Sequence, residues 1–235
     1  MSPTVVLVHG AFADSAAWNP VLERLARHDI DAFAVANPLR SLAGDAQYAR
    51  DVVNGVGGEV VLVGHSYGGM VITEAADGLE PVRALVYVAA FTPDHGESAL
   101  ALSGRFAGST LGAALQAYPV SAGGNEVRID PAKYHAQFAA DLDAEDAILL
   151  GRTQRPVTEK ALTDGLSSEK PAWRTLPTWM VYGDADLNIP AELFRFQAGR
   201  SEPRGVREVP GASHAIAASR PDEVTATILE AVAGR

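Results

Sequence analysis

Val60-Val61-Leu62-Val63-Gly64-His65-Ser66-Tyr67-Gly68-Gly69-Met70 passes from a β-branched apolar run, through small residues, into a helix-like segment. An apolar run without polar alternation marks a strand covered on both faces. Gly64-x-Ser66-x-Gly68 is the pattern of a nucleophile elbow, a very sharp strand-to-helix turn with serine at its tip. Such a turn strains the tip residue, and glycine two before and two after lets strand and helix approach without Cβ clashes. The serine oxygen then lies outside the carboxyl edge of the sheet, where open α/β sheets bind ligands.

Working outward, Thr4 to Val8 is a second buried-type strand, closed by the loop His9-Gly10-Ala11-Phe12. Ser15 to Arg27 carries Trp18, Leu22 and Leu25 at helical spacing. Asp31 to Ala36 reads as a short strand, Leu42 to Val53 as a helix, and Gly55 to Gly58 as a turn. Past the elbow, a helix from Tyr67 to about Asp77 ends at Gly78, and Ala84 to Ala90 is another strand. Strands alternating with helices imply parallel pairing through right-handed crossovers.

Between Phe91 and Pro177 no run reads as a buried strand. Glycines are frequent there, and Pro131 to Leu150 and Thr158 to Leu166 read as helices. A structureless loop of that length does not suit a compact domain. The segment is therefore expected to be an inserted helical cap. The core pattern then resumes with a strand at Thr178 to Tyr182, a helix at Ala191 to Gly199 and a strand at Val206 to Val209. A final helix shows Val224, Ile228 and Val232 on one face. The expected fold class is α/β: a mostly parallel open sheet flanked by helices, with a helical cap before the penultimate strand. The expected division is a core of residues 1–91 and 177–235 with a cap of residues 92–176.

Bulk properties narrow the function. The chain has 235 residues, 47% of them hydrophobic, which suits one domain with a sizeable core. No apolar run approaches the roughly 20 residues of a membrane span. Met1-Ser2-Pro3-Thr4 leads straight into a strand with no basic leader, so a cytoplasmic location is expected. Nineteen Lys and Arg against 29 Asp and Glu give a net charge of -10, which argues against nucleic acid or an anionic membrane as partner. The absence of cysteine removes disulfides, thiol nucleophiles and thiolate-bound metal. The six histidines are scattered, so no metal and no cofactor are expected. The sequence leaves the oligomeric state open, a homo-oligomer included.

A serine hydroxyl needs a general base, and the base an orienting carboxylate. Ser66 precedes Asp186, which precedes His214, and each stands just past an expected strand. All three should reach the same edge of a parallel sheet. Asp184 competes with Asp186 for the acid, and Asp94 or Glu97 could supply it from the preceding strand. His65 should pack or hydrogen-bond beneath the turn, while His28, His95 and His135 belong to helix ends or the cap. The oxyanion donors are expected to be the backbone N–H groups of Tyr67 and of Ala11, with Phe12 the alternative to Ala11. Gly10 permits the close approach. The apolar residues Phe91, Leu100, Leu102, Phe106, Leu111, Leu115, Tyr118, Tyr134, Phe138 and Leu149 are divided between pocket lining and cap packing.

His9-Gly10-Ala11-Phe12, Trp18, Gly64-His65-Ser66-Tyr67-Gly68-Gly69, Gly183-x-x-Asp186 and Gly211-x-x-His214 resemble the α/β-hydrolases. The nearer likeness is to the small capped branch of salicylate-type methylesterases, hydroxynitrile lyases and bacterial esterase-like relatives. The resemblance implies the α/β-hydrolase fold, with Ser66 as nucleophile, Asp186 as acid, His214 as base, and Ala11 and Tyr67 at the oxyanion hole. The lyases of that branch carry threonine after the first-strand histidine and lysine after the catalytic histidine. This chain has Gly10 and Ala215, which disfavours cyanohydrin cleavage. The expectation is a serine carboxylesterase acting on a small or medium, apolar ester. A lyase using the same residues, or a ligand-binding receptor that retains them, are the alternatives.

Overall fold

Thr4–Val8 forms β1, and the chain runs on through α1 (Asn19–Arg27), β2 (Ala32–Val35), α2 (Leu42–Val56), β3 (Val60–His65), α3 (Gly68–Ala75) and β4 (Val82–Val88). A long insertion follows. The chain then re-enters the core (labels here count the insertion's own elements) as β8 (Thr178–Gly183), α8 (Ala191–Ser201), β9 (Gly205–Val209), α9 (Ile216–Ser219) and α10 (Pro221–Ala233). The computed structural model describes residues 2–234.

The strand order is β2-β1-β3-β4-β8-β9, and every pairing is parallel. The four inner strands are those whose sequences are nearly uninterrupted apolar runs; the edge strands are only partly buried. The path leads from β1 outward to β2, then back across β1 to β3 and onward. With right-handed crossovers, that reversal places α1 on one face and α2, α3 and α8 on the other. The packing agrees: α1 lies against α10, and α2 against α3. The reversal makes the gap between β1 and β3 a topological switch point, where ligands bind. The register sets Val8 beside Gly64, His65 beside Val88, Val88 beside Val181 and Gly183 beside Val209. The carboxyl ends of these strands thus share one edge, and the loops leaving them carry Ala11, Ser66, Phe91, Asp186 and His214.

The insertion departs from the expected helical cap. It contains α4 (Ala99–Ser103), β5 (Leu115–Pro119), β6 (Asn125–Ile129), α5 (Tyr134–Phe138), α6 (Ala144–Thr153), β7 (Val157–Thr158) and α7 (Glu159–Thr163). The three strands form an antiparallel sheet ordered β5-β6-β7. Their signal escapes a search for continuous apolar runs because the sheet buries one face only: Val127 and Ile129 are buried while Arg128 between them is exposed. Gly123 and Gly124, both at positive φ, close the hairpin that their sequence position marked only as glycine-rich. The single helix expected over Pro131 to Leu150 is two, broken where Ala139 leaves helical geometry and Leu142 N–H turns back to the Ala139 carbonyl.

Candidate active site

Ser66 has φ of 53°, the left-handed region that non-glycine residues avoid. Neighbouring backbone holds it there: its N–H donates to the Val88 carbonyl, and its carbonyl accepts from Gly69 and Phe91. Gly64 is required because a Cβ on it would lie 2.5 Å from the Gly68 carbonyl oxygen. Gly10 is required for a different approach, since a Cβ there would lie 2.6 Å from Ser66 Cβ. The loop after β1 is therefore pressed directly onto the elbow.

His214, in the loop after β9, is buried, and its Nδ1 is 2.6 Å from Asp186 Oδ2. The other carboxylate oxygen accepts from the backbone N–H groups of Asn188 at 2.8 Å and Ile189 at 2.9 Å. Asp184 instead points out of the fold, where its Oδ1 accepts from Gly211 N–H at 2.6 Å. Asp94 and Glu97 are engaged by Arg174 and Arg200. The structure thus brings Asp186, and none of the other candidates, to the His214 ring. Phe138 from α5 packs edge-on against that ring at 4.8 Å.

His65 lies beneath the turn. Its Nε2 donates to the His214 carbonyl at 3.0 Å, and burial, reinforced by the neighbouring His214, holds its pKa well below the usual value. The ring is a neutral spacer that ties the elbow to the His214 loop. Burial likewise lowers His9, whose Nδ1 lies 2.9 Å from the Gly10 carbonyl. His95 and His135 contact the carbonyls of Ser168 and Leu142, away from the cavity.

Among the described residues, none of the backbone N–H groups of Ala11, Phe12 and Tyr67 donates to a backbone carbonyl. All three residues line the same cavity as Ser66 and His214. Free N–H groups at the start of α3 and in the facing loop make a site for developing negative charge. Two braces were not legible in the sequence. Phe12 sits at φ 62°, and its carbonyl accepts from the Tyr134 hydroxyl of α5 at 2.9 Å. The Tyr67 phenol donates to buried Asp45 at 2.9 Å. Burial raises the Asp45 pKa, opposed by the Arg40 N–H and the Tyr67 hydroxyl. An aspartate in the first turn of a helix ordinarily signals only a favourable helix dipole, so nothing in the sequence singles it out.

The cavity measures about 360 Å³ and has no Asp, Glu, Lys or Arg in its lining. Of the apolar candidates, Phe91, Leu100, Phe106, Leu111 and Leu115 line it. Leu102, Tyr134 and Phe138 are packed elsewhere in the core, and Tyr118 and Leu149 face solvent. Among the described residues, no group of three or more His, Asp or Glu side chains is placed to hold a metal, and no helix is long and apolar enough to cross a membrane.

A family model described as the alpha/beta hydrolase family matches residues 5–227. Esterase PIR7B of Oryza sativa subsp. japonica is 26% identical over 245 aligned positions, covering 93% of this chain and 91% of that protein. A carbendazim hydrolyzing esterase of Nocardioides sp. (strain SG-4G) is 53% identical over 60 residues, a match spanning 23% of this chain and only 25% of that protein. Among solved structures, polyneuridine aldehyde esterase superposes with a TM-score of 0.80 at 19% identity, over 98% of this chain and 99% of that one.

Proposed function

The chain belongs to the alpha/beta hydrolase family, and on that premise we propose that it is a serine carboxylesterase cleaving small or medium, uncharged, apolar esters. The observation that carries this reading is the Asp186–His214 contact opening onto the cavity that also holds Ser66. Asp186 fixes the His214 ring with Nδ1 towards the carboxylate, leaving Nε2 to take the Ser66 proton. Ser66 Oγ attacks the ester carbonyl, and the carbonyl oxygen becomes an oxyanion received by the N–H groups of Tyr67 and Ala11. Collapse breaks the C–O bond to the alcohol, which leaves with the proton held by His214. Water then loses a proton to His214 as it attacks the acyl-enzyme, and Ser66 departs reprotonated.

The uncharged lining supports a neutral substrate, because a charged group would be desolvated without a partner. The esterase names of the relatives point the same way. Gly10 and Ala215 support hydrolysis over cyanohydrin cleavage: there is no space for a side chain at position 10, and position 215 provides no cation. The test is a panel of p-nitrophenyl and alkyl esters assayed with wild type and Ser66→Ala. Turnover should fall by roughly 10⁴-fold or more if the three residues act as a unit. Comparable hydrolysis by the two proteins would overturn the proposal.

A further inference from the structure

The loop after β1 holds a second strained residue besides Ser66. Phe12 has φ of 62°, a region that a bulky side chain avoids unless its surroundings over-determine it. Those surroundings belong to the insertion. The Tyr134 hydroxyl of α5 donates to the Phe12 carbonyl at 2.9 Å. The Arg155 N–H, between α6 and β7, donates to the Ala13 carbonyl at 3.3 Å. Two successive carbonyls of a core loop are thus pinned from the insertion. The position of Tyr134 is fixed in turn. It is 1% exposed, and its ring stacks on Phe138 at 4.9 Å. Gly151 of α6 makes room for that ring, since a Cβ there would lie 3.0 Å from Tyr134 Cγ. Burial raises the Tyr134 pKa, so the phenol keeps its proton and remains a donor.

The upstream side of the loop is fixed as well. A Cβ on Gly10 would lie 2.6 Å from Ser66 Cβ and 3.1 Å from the Tyr67 nitrogen, so the chain there already abuts the elbow. Between the two anchors lies the Ala11–Phe12 peptide. Rotation about φ of Phe12 turns that peptide relative to the pinned carbonyl. Without the Tyr134 hydroxyl, Phe12 is free to relax towards negative φ, and the N–H groups of Ala11 and Phe12 swing with it. We propose that Tyr134 is a positioning residue for ester cleavage. From the insertion it holds Phe12 in its strained conformation and keeps the N–H groups of this loop directed at the carbonyl oxygen as that oxygen gains charge. The proposal rests on the esterase reading. Tyr134 itself does not line the cavity, so it acts only through Phe12. Donors aimed in advance at a developing charge favour the transition state over the bound substrate.

Tyr134→Phe tests it, because it removes one oxygen and keeps the packed ring. Two ketones of the same chain read the effect. With hexyl trifluoromethyl ketone, Ser66 Oγ adds to the carbonyl carbon, its proton passes to His214, and the carbonyl electron pair becomes an oxyanion. Hexyl methyl ketone binds as an intact, uncharged carbonyl. The ratio of their dissociation constants, measured by calorimetry, separates charge stabilisation from ordinary binding. Hydration of the fluorinated ketone in water is common to both proteins and cancels. Wild type should bind the fluorinated ketone tighter on the order of 10²-fold or more. In Tyr134→Phe, checked for a cooperative thermal transition, that ratio and kcat on a p-nitrophenyl ester should each fall about tenfold. A merely structural role would lower the melting temperature or weaken both ketones alike. No preference in wild type, or a ratio or kcat that stays within about threefold in the variant, overturns the assignment. If wild type cleaves no ester and the ratio still falls, the esterase reading fails and the hold of Tyr134 on an oxyanion site stands. Ester cleavage with an unmoved ratio does the reverse.

Discussion

Replacing Asp186 by asparagine alters one atom and should remove nearly all activity, for a reason visible in its hydrogen bonds. The carboxylate accepts three donors: Asn188 N–H and Ile189 N–H on Oδ1, and His214 Nδ1 on Oδ2. Asparagine has one oxygen. The two backbone donors share a single position and cannot rotate away, so the amide oxygen should take their side. The amide nitrogen then faces His214, and its hydrogens require Nδ1 to be the unprotonated ring atom. The proton moves to Nε2, and the imidazole presents a donor where Ser66 needs an acceptor. The analogous change in serine proteases lowers kcat by about 10⁴-fold with geometry intact, and a loss of that order is expected here. Asp184→Asn is the matched control, because an amide oxygen can still accept from Gly211 N–H. Initial rates on a p-nitrophenyl ester, with circular dichroism to verify folding, measure both. The reasoning fails if Asp186→Asn keeps a tenth or more of the activity, or if folded Asp184→Asn loses more.

Two further substitutions probe the surroundings. Gly10→Ala places a methyl 2.6 Å from Ser66 Cβ and 2.7 Å from the His65 carbonyl oxygen, so loop and elbow must separate. A displacement of about 1 Å at a reacting centre costs roughly 10²-fold; steady-state kinetics should show the loss in kcat rather than KM, and an unaltered kcat would refute the contact. Asp45→Asn tests the buried carboxyl behind Tyr67. Because burial raises the folded-state pKa, the protonated carboxyl is the form the fold favours. Its stabilising contribution is complete below the unfolded pKa of about 3.9 and is lost as pH rises through the folded value. The melting temperature of wild type minus that of Asp45→Asn should fall over that window, and a difference that rises with pH would contradict the assignment.

The core was legible because inner strands of a parallel sheet are buried on both faces, and a run such as Val60 to Val63 has no other reading. The Ser66, Asp186 and His214 positions were legible because each stands just past an expected strand, the first two after apolar runs and His214 after the shorter edge strand ending at Val209, and parallel strands deliver their carboxyl ends to one edge. The insertion was less so. Its hairpin strands are five residues each, β6 buries only Val127 and Ile129 and β5 buries none, and its glycines speak equally for a loop. The contacts of Asp45 and Tyr134 escaped notice for another reason. Their significance lies in partners 22 and 122 positions away, Tyr67 and Phe12, and no local pattern encodes such pairs.

The short helix α5 holds the candidate site at two points. Tyr134 holds the Phe12 carbonyl, and the Phe138 carbonyl accepts from Ala215 N–H at 2.9 Å while its ring abuts His214. The insertion is consequently not an interchangeable module. A chimera that exchanged the whole of it for a foreign lid would import a new pocket and, in the same stroke, unfasten both the loop that carries Phe12 and the loop that carries His214. Recombination for altered substrate range should therefore graft around residues 134–138, leaving those five with the sheet they serve.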